Sequence, residues 1–213
     1  MCMQIRNSVL IEVCVDNIED ALRAEDRGAD QIELCSRLDL DGLSPSSKLL
    51  DQAFAKLSIP IKPMLRLREG DFVYSRKEKD QMLQMLFTLL DYNCKSIVFG
   101  ALNREGGIDT TFLDEISDNI GSHVICFHKA VDYSNDLLSA CSVLASCKKV
   151  AEVLSSGGSH TALDGVNNLN KMKSILRPDQ KLIAAGKIRP ENIVKLHKLV
   201  NLEYYHGRKI INF

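Results

Sequence analysis

The chain of 213 residues predicts an α/β fold of a single domain, residues 1–213, built as a (β/α)8 TIM barrel whose final helix is missing. Three observations predict it. Short runs of β-branched and apolar residues recur along the whole chain, stretches with helical spacing separate them, and no linker-like segment interrupts the alternation. Strand alternating with helix calls for a parallel sheet with helices outside it. An open, doubly wound sheet is the alternative, but no G-x-G-x-x-G follows the first run.

The predicted strands are Val9–Val15, Gln31–Ser36, Ile59–Arg66, Ser96–Leu102, His123–Lys129, Ala151–Gly157, Leu182–Gly186 and Leu202–Gly207. Between the second and third, Ser44 followed by Pro45 reads as an N-cap with proline in the first helical turn. "SRKEKD" reads as a solvated helix start, and Asp80 to Leu90 has a broad apolar face. "SNDLLSACSVLAS" and "ALDGVNNLNKMKSIL" carry apolar residues at helical spacing. "RPENIVKLHKLV" places Pro190 at a helix start, with Ile193, Leu196, Leu199 and Val200 on one stripe. After the last strand only "RKIINF" remains, too short for a helix of several turns. Strands one and eight then need another cover for outward residues such as Val13, Val15 and Tyr205, because parallel sheets are buried on both faces. The tail, the N-terminal "MCMQIR" or a second subunit could supply it, and a homodimer is the expectation.

Composition narrows the function classes. Formal net charge is −1, so no basic field points to nucleic acid. No apolar run reaches the ~18 residues of a membrane span, and no secretory signal is evident at the N-terminus. The 7 cysteines form no C-x-x-C pair, which argues against a zinc knuckle or a thioredoxin motif. Several lie in apolar runs, as free thiols do in a reducing cytoplasm.

Barrel strands alternate between the interior and the helix layer. A carboxylate facing the helix layer would be buried without a partner, so charged positions define the inward face. Glu12 brings Cys14 and Asp16 inward with it, and Glu33 brings Cys35. Arg66 and Arg68 go inward with Met64, His128 with Cys126, and His206 with Tyr204. Barrel sites gather at the carboxyl ends of strands, where His128, Asp132, Arg68, Asp71, Ser155, Ser156, Lys187 and His206 fall. One reading is acid–base chemistry: His128 oriented by Asp132, with Glu33 as the opposite partner. Arg66, Arg68 and Lys187 would hold an anionic or phosphorylated substrate, with His206 nearby. The turns carrying Ser155, Ser156 and Gly157, and Gly186 and Lys187, would serve as anion cradles. The plainer reading of Glu12, Glu33 and Arg66 is an internal ion-pair network that sets barrel geometry.

Five segments together carry a family resemblance: "GADQIELC" (28–35), "MLRLREGDFVYS" (64–75), "FHKAVD" (127–132), "VLSSGG" (153–158) and "IAAGKIRPENI" (183–193). In order and spacing the chain resembles the CutC family, known as copper homeostasis proteins and built on a TIM barrel. The resemblance implies a cytoplasmic protein that binds Cu(I), with no organic cofactor. It leaves open whether the chain is also an enzyme. Cu(I) prefers thiolate or thioether sulfur. Cys14 and Cys35, inward on neighbouring strands, are the expected ligands, with Cys126 or Met64 as helpers. The chain departs from the family pattern at Arg66-Leu67-Arg68, where R-P-R is usual. It also departs at Lys129, where arginine is usual, and at His206-Gly207-Arg208, where His-Ser-Ser is usual.

Overall fold

The computed structural model describes residues 9–212. Strands and helices alternate as the sequence predicts: β1 (Leu10–Val15), α1 (Ile18–Asp26), β2 (Gln31–Leu34), α2 (Ser47–Lys56), β3 (Ile61–Pro63), α3 (Arg76–Leu90), β4 (Ser96–Phe99) and α4 (Thr110–Asn119). Then follow β5 (Val124–Phe127), α5 (Leu137–Ser146), β6 (Val150–Ser155), α6 (Val166–Ile175), β7 (Lys181–Ala184), α7 (Ile193–Val200) and β8 (Tyr204–His206). Short 3-10 turns lie at Leu38–Leu40 and Lys129–Tyr133. The strands form one parallel sheet in the order β3-β2-β1-β8-β7-β6-β5-β4. A parallel bridge between Met64 and Val98 narrows the remaining seam, where the Leu65 N–H donates to the Val98 carbonyl at 2.8 Å. The result is a nearly closed TIM barrel.

Local chemistry explains the helix starts. Ser75 and Glu78 form a reciprocal capping box that opens α3. Asn17, Asp109 and Asp136 cap α1, α4 and α5 with their side chains. The expected cap at Ser44 is displaced: Ser46 caps α2 instead. Ser44 is tied to strand-end backbone, its hydroxyl accepting from the Arg66 N–H at 2.9 Å while its own N–H donates to the Arg66 carbonyl at 2.9 Å. Pro190 lies in a turn that closes on the Arg189 carbonyl just before α7.

Side-chain parity sorts the strands into two cores. Outward residues such as Ile11, Ile32, Leu34, Ile97, Phe99 and Ile125 pack against the helices. Inward residues Cys14, Cys35, Met64, Val98, Cys126, Leu154, Ile183 and Ala185 fill the barrel, with Tyr204 against them. Parity fails at Arg68, because regular strand ends before it.

No eighth helix follows β8 among the described residues. The outer face is covered nonetheless: Val13, Val15 and Tyr205 are at most 1% exposed in the single chain, and Ile210 of the tail is fully buried in the same core. Six residues too short for a helix can still dock two isoleucines, Ile210 and Ile211. Among the described residues, Val13, Val15 and Tyr205 therefore leave no uncovered face of the kind from which a homodimer is expected. The N-terminal segment named as another cover lies outside the described residues. No helix among the described residues is long and apolar enough to cross a membrane.

Candidate functional site

The amino-terminal half of the barrel interior is ionic. Lys62 on β3 pairs with Glu12 of β1 at 2.8 Å and with Glu152 of β6 at 2.5 Å, all three being buried. Gln31 donates to Glu12 at 2.5 Å. Burial works against the Glu12 carboxylate, but Lys62 and His206 outweigh it and hold its pKa at about 2. Burial likewise opposes the Lys62 ammonium, and Glu12 and Glu152 reverse that, leaving it above the usual lysine value.

Register then builds a donor cluster above this floor. Glu12 is paired with His206 across β1–β8, and Cys14 with Glu33 across β1–β2. One ligand atom each from Cys14, Glu33 and His206 lies within 4.8 Å of the others, and all three residues are buried. His206 Nδ1 is 2.7 Å from Glu12 Oε1, and its Nε2 stands 3.9 Å from Glu33 Oε1. A histidine whose Nδ1–H is bound by a carboxylate presents Nε2 as a ligand of fixed direction. Burial disfavours the His206 imidazolium, but Glu33, Cys14 and Glu12 raise its pKa well above the ordinary value. Burial pushes the Glu33 carboxyl up, against the pull of His206. Cys35 is not in this cluster. It is fully buried and its thiol donates to Glu33 Oε1 at 3.7 Å, so it stands behind Glu33. Burial and the Glu33 charge raise that thiol well above its usual pKa. Cys126 is fully buried among the inner apolar residues.

Cys14, Glu33 and His206 line a pocket of about 300 Å³ at the carboxyl ends of the strands, together with Met64, Arg66, His128, Gly186 and Lys187. His128 is buried, and its Nδ1 accepts the Ala130 N–H at 3.1 Å, so the proton sits on Nε2. Burial and the Arg66 charge push its pKa down to about 3, leaving a neutral imidazole. Gly100, just after β4, makes room, since a Cβ there would strike the imidazole ring. Arg66 is inward, but its terminal nitrogens are engaged: Nη1 donates to the carbonyls of Leu40, Asp41 and Gly42, and Nη2 to that of Gly70. It holds the pocket's loops in place.

Three expectations change here. Asp132 does not orient His128. Its carboxylate accepts from the Ser155 hydroxyl at 2.5 Å, the Ser156 N–H at 2.8 Å, the Ser156 hydroxyl at 2.9 Å and the Gly158 N–H at 2.8 Å. The turn of Ser155, Ser156 and Gly157 is thus an anion cradle already filled by the chain's own carboxylate. Gly157 is needed there for close approach to the Gly165 backbone, at φ +71°. Arg68 also lies outside the pocket lining. It pairs with Glu78 at 2.5 Å and with Asp71 at 3.0 Å, and stacks on Tyr74.

The CutC family model matches residues 9–211. This chain belongs to the CutC family. A CutC family protein of Mesorhizobium japonicum is 32% identical over 197 residues, 92% of this chain and 76% of the relative. The copper homeostasis protein cutC homolog of Caenorhabditis elegans is 32% identical over 203 residues, 95% of this chain and 81% of that one. The crystal structure of CutC from Streptococcus agalactiae superposes with a TM-score of 0.88 at 21% identity, covering 95% of this chain and all (100%) of the other. The phosphoribosyl anthranilate isomerase of Thermococcus kodakaraensis shares the fold, with a TM-score of 0.57 at 15% identity over 96% of this chain and 90% of its own.

In this CutC chain, sequence reasoning passes over Lys62, Gln31 and Glu152. Parity contains the missing signal: Lys62 lies two residues before inward Met64, and Glu152 two before inward Leu154. Gly100 shows its role only once His128 is placed in three dimensions.

Proposed function

We propose that this chain is a copper homeostasis protein of the cytoplasm that binds Cu(I) through Cys14 and His206, with Glu33 beside them. The observation that carries this reading is the buried cluster of sulfur, nitrogen and carboxylate donors within 4.8 Å of one another. The donor set fits a soft or borderline ion: a thiolate, an imidazole with its Nδ1 side already fastened, and the Met64 thioether lining the same pocket. Glu33 Oε2 is buried with no hydrogen-bond partner, so its lone pairs are uncommitted. The name of the Caenorhabditis elegans relative and the family membership point the same way. The free thiols, Cys14, Cys35, Cys94, Cys126, Cys141 and Cys147, fit a reducing compartment. Each ligand must shed its proton to bind, so uptake of the ion releases protons.

The test is an anaerobic titration in competition with a chromogenic Cu(I) chelator. Wild type withholds copper from the chelator, Cys14→Ser and His206→Asn lose most of that capacity, and Cys35→Ser keeps it. Equal retention by wild type and Cys14→Ser would overturn the assignment. Loss in Cys35→Ser alone would return the site to the deeper thiol.

A further inference from the structure

The same pocket holds a second set of atoms that metal binding does not use. His128 is 5% exposed and Arg66 is 4% exposed, and both line the pocket. His128 Nε2 is a buried nitrogen with no hydrogen-bond partner, and Arg66 Nε is buried with only the Tyr74 hydroxyl close to the guanidinium. Each carries a proton: Arg66 Nε always does, and the His128 proton is placed on Nε2 by the Ala130 N–H at Nδ1. Phe72 holds the two donors in one neighbourhood, its ring 4.9 Å from the guanidinium carbon and 5.1 Å from the imidazole. Buried donors without acceptors are uncommon, because each forfeits its hydration. Water can occupy such a place, and a ligand oxygen can displace it.

Charge at the pocket's edge agrees with an anion. Lys129, Lys187 and Arg208 line it, against the single exposed acid Asp41 in that lining. Lys129 lies 4.0 Å from the Asp132 carboxylate, Arg208 is near enough to Asp39 to help lower that carboxyl's pKa, and Lys187 touches another basic side chain, His160. Lys187 also holds a left-handed backbone, φ +54°, after Gly186 at φ +105°, and the Asn192 amide fastens its carbonyl at 2.9 Å. A non-glycine residue rarely takes that conformation without a reason. Leu154, Phe72 and Tyr133 supply apolar walls, and about 300 Å³ suits a small metabolite.

We propose that this pocket binds a small organic anion, a phosphate or carboxylate, whose oxygens accept from His128 Nε2 and Arg66 Nε while Lys129, Lys187 and Arg208 face its charge. The site goes beyond the copper reading and shares only the pocket with it. A neutral imidazole N–H beside a guanidinium is an oxyanion-stabilising arrangement, so the bound oxygen is polarised as well as held.

The experiment is calorimetric titration of the full chain, kept metal-free by chelator so that failure of the copper reading does not affect it. The probes are glycerol 3-phosphate, glycerate and glycerol. At least one of the two anions binds in the millimolar range or tighter, weakening with added salt, and glycerol does not bind. Which anion binds distinguishes phosphate from carboxylate. The double variant Lys187→Asn with Arg208→Gln changes exposed side chains, and asparagine tolerates the left-handed backbone. It weakens binding about tenfold or more, the scale of a charge-assisted contact. His128→Phe, which keeps the ring and removes the donor, abolishes the remaining specificity for anion over glycerol. If His128→Phe does not fold, the rim variant decides alone. Absence of binding by both anions, or wild-type affinity in the rim variant, would overturn the proposal.

Discussion

At the scale of single residues, burial and partners decide what each ionisable group does. His128 is kept neutral in the fold with a pKa near 3, against an ordinary 6.5. Below pH 6.5 the unfolded chain takes up a proton that the folded chain refuses, so stability falls as pH falls. Glu12 also loses stability in acid, but only below its ordinary 4.5, on the way to its folded value of about 2. His206 has a raised pKa and is protonated in both states below its ordinary 6.5, so it adds no slope there. Between pH 6.5 and 4.5 His128 contributes a fall of about 2–3 kcal/mol at 1.36 kcal/mol per unit, and Glu33, whose carboxyl burial pushes up, takes up a proton in the folded state in the acid part of that window and offsets some of it. Denaturant titrations at both ends of the window should show the net fall, and His128→Gln should remove the His128 part of it, leaving stability level or rising slightly toward pH 4.5. A second residue-scale outcome concerns Lys62. Lys62→Met strands two buried carboxylates, Glu12 and Glu152, and should cost about 3–5 kcal/mol by chemical unfolding. Adding Glu12→Gln and Glu152→Gln should recover part of that loss.

At the scale of elements, connections at the strand ends shape the pocket. The Asp132 carboxylate gathers donors from Ser155, Ser156 and Gly158 and so joins the 3-10 turn after β5 to the turn after β6. Asp132→Asn puts an amide NH2 against backbone N–H donors, and about 2–4 kcal/mol of stability should be lost. Limited proteolysis should find new cleavage near Gly157 and Gly158. The strand patterns and the inward faces of β1, β2, β5 and β8 are legible in sequence, because period-two alternation survives wherever a strand is regular. The role of Asp132 is not legible, since serines and glycines after a strand look alike whether they await a phosphate or a neighbouring aspartate. Arg68 misleads for a related reason: parity carries on in the sequence after the strand has stopped in space.

At the scale of the whole molecule, the segment after β8 contributes to the outer core. Ile210 and Ile211 are buried in the outer core, and Ile211 lines a cleft with Val15 of β1. Ile210→Asp should expose apolar surface there, seen as increased binding of a hydrophobic dye and as self-association in sedimentation at micromolar concentration. Wild type should show neither at the same concentration. The sequence by itself determined the barrel, its alternation of strand and helix, and the candidates Glu33, His128 and His206, because these rest on periodicity and residue chemistry. Tertiary structure decided which candidates meet. Register between strands put Cys14 with Glu33 and His206 and left Cys35 behind them, and loop packing took Arg68 and Asp132 out of the pocket. Periodicity is a property of one strand, whereas a site is made by the lateral register of several, and no single strand's pattern encodes that register.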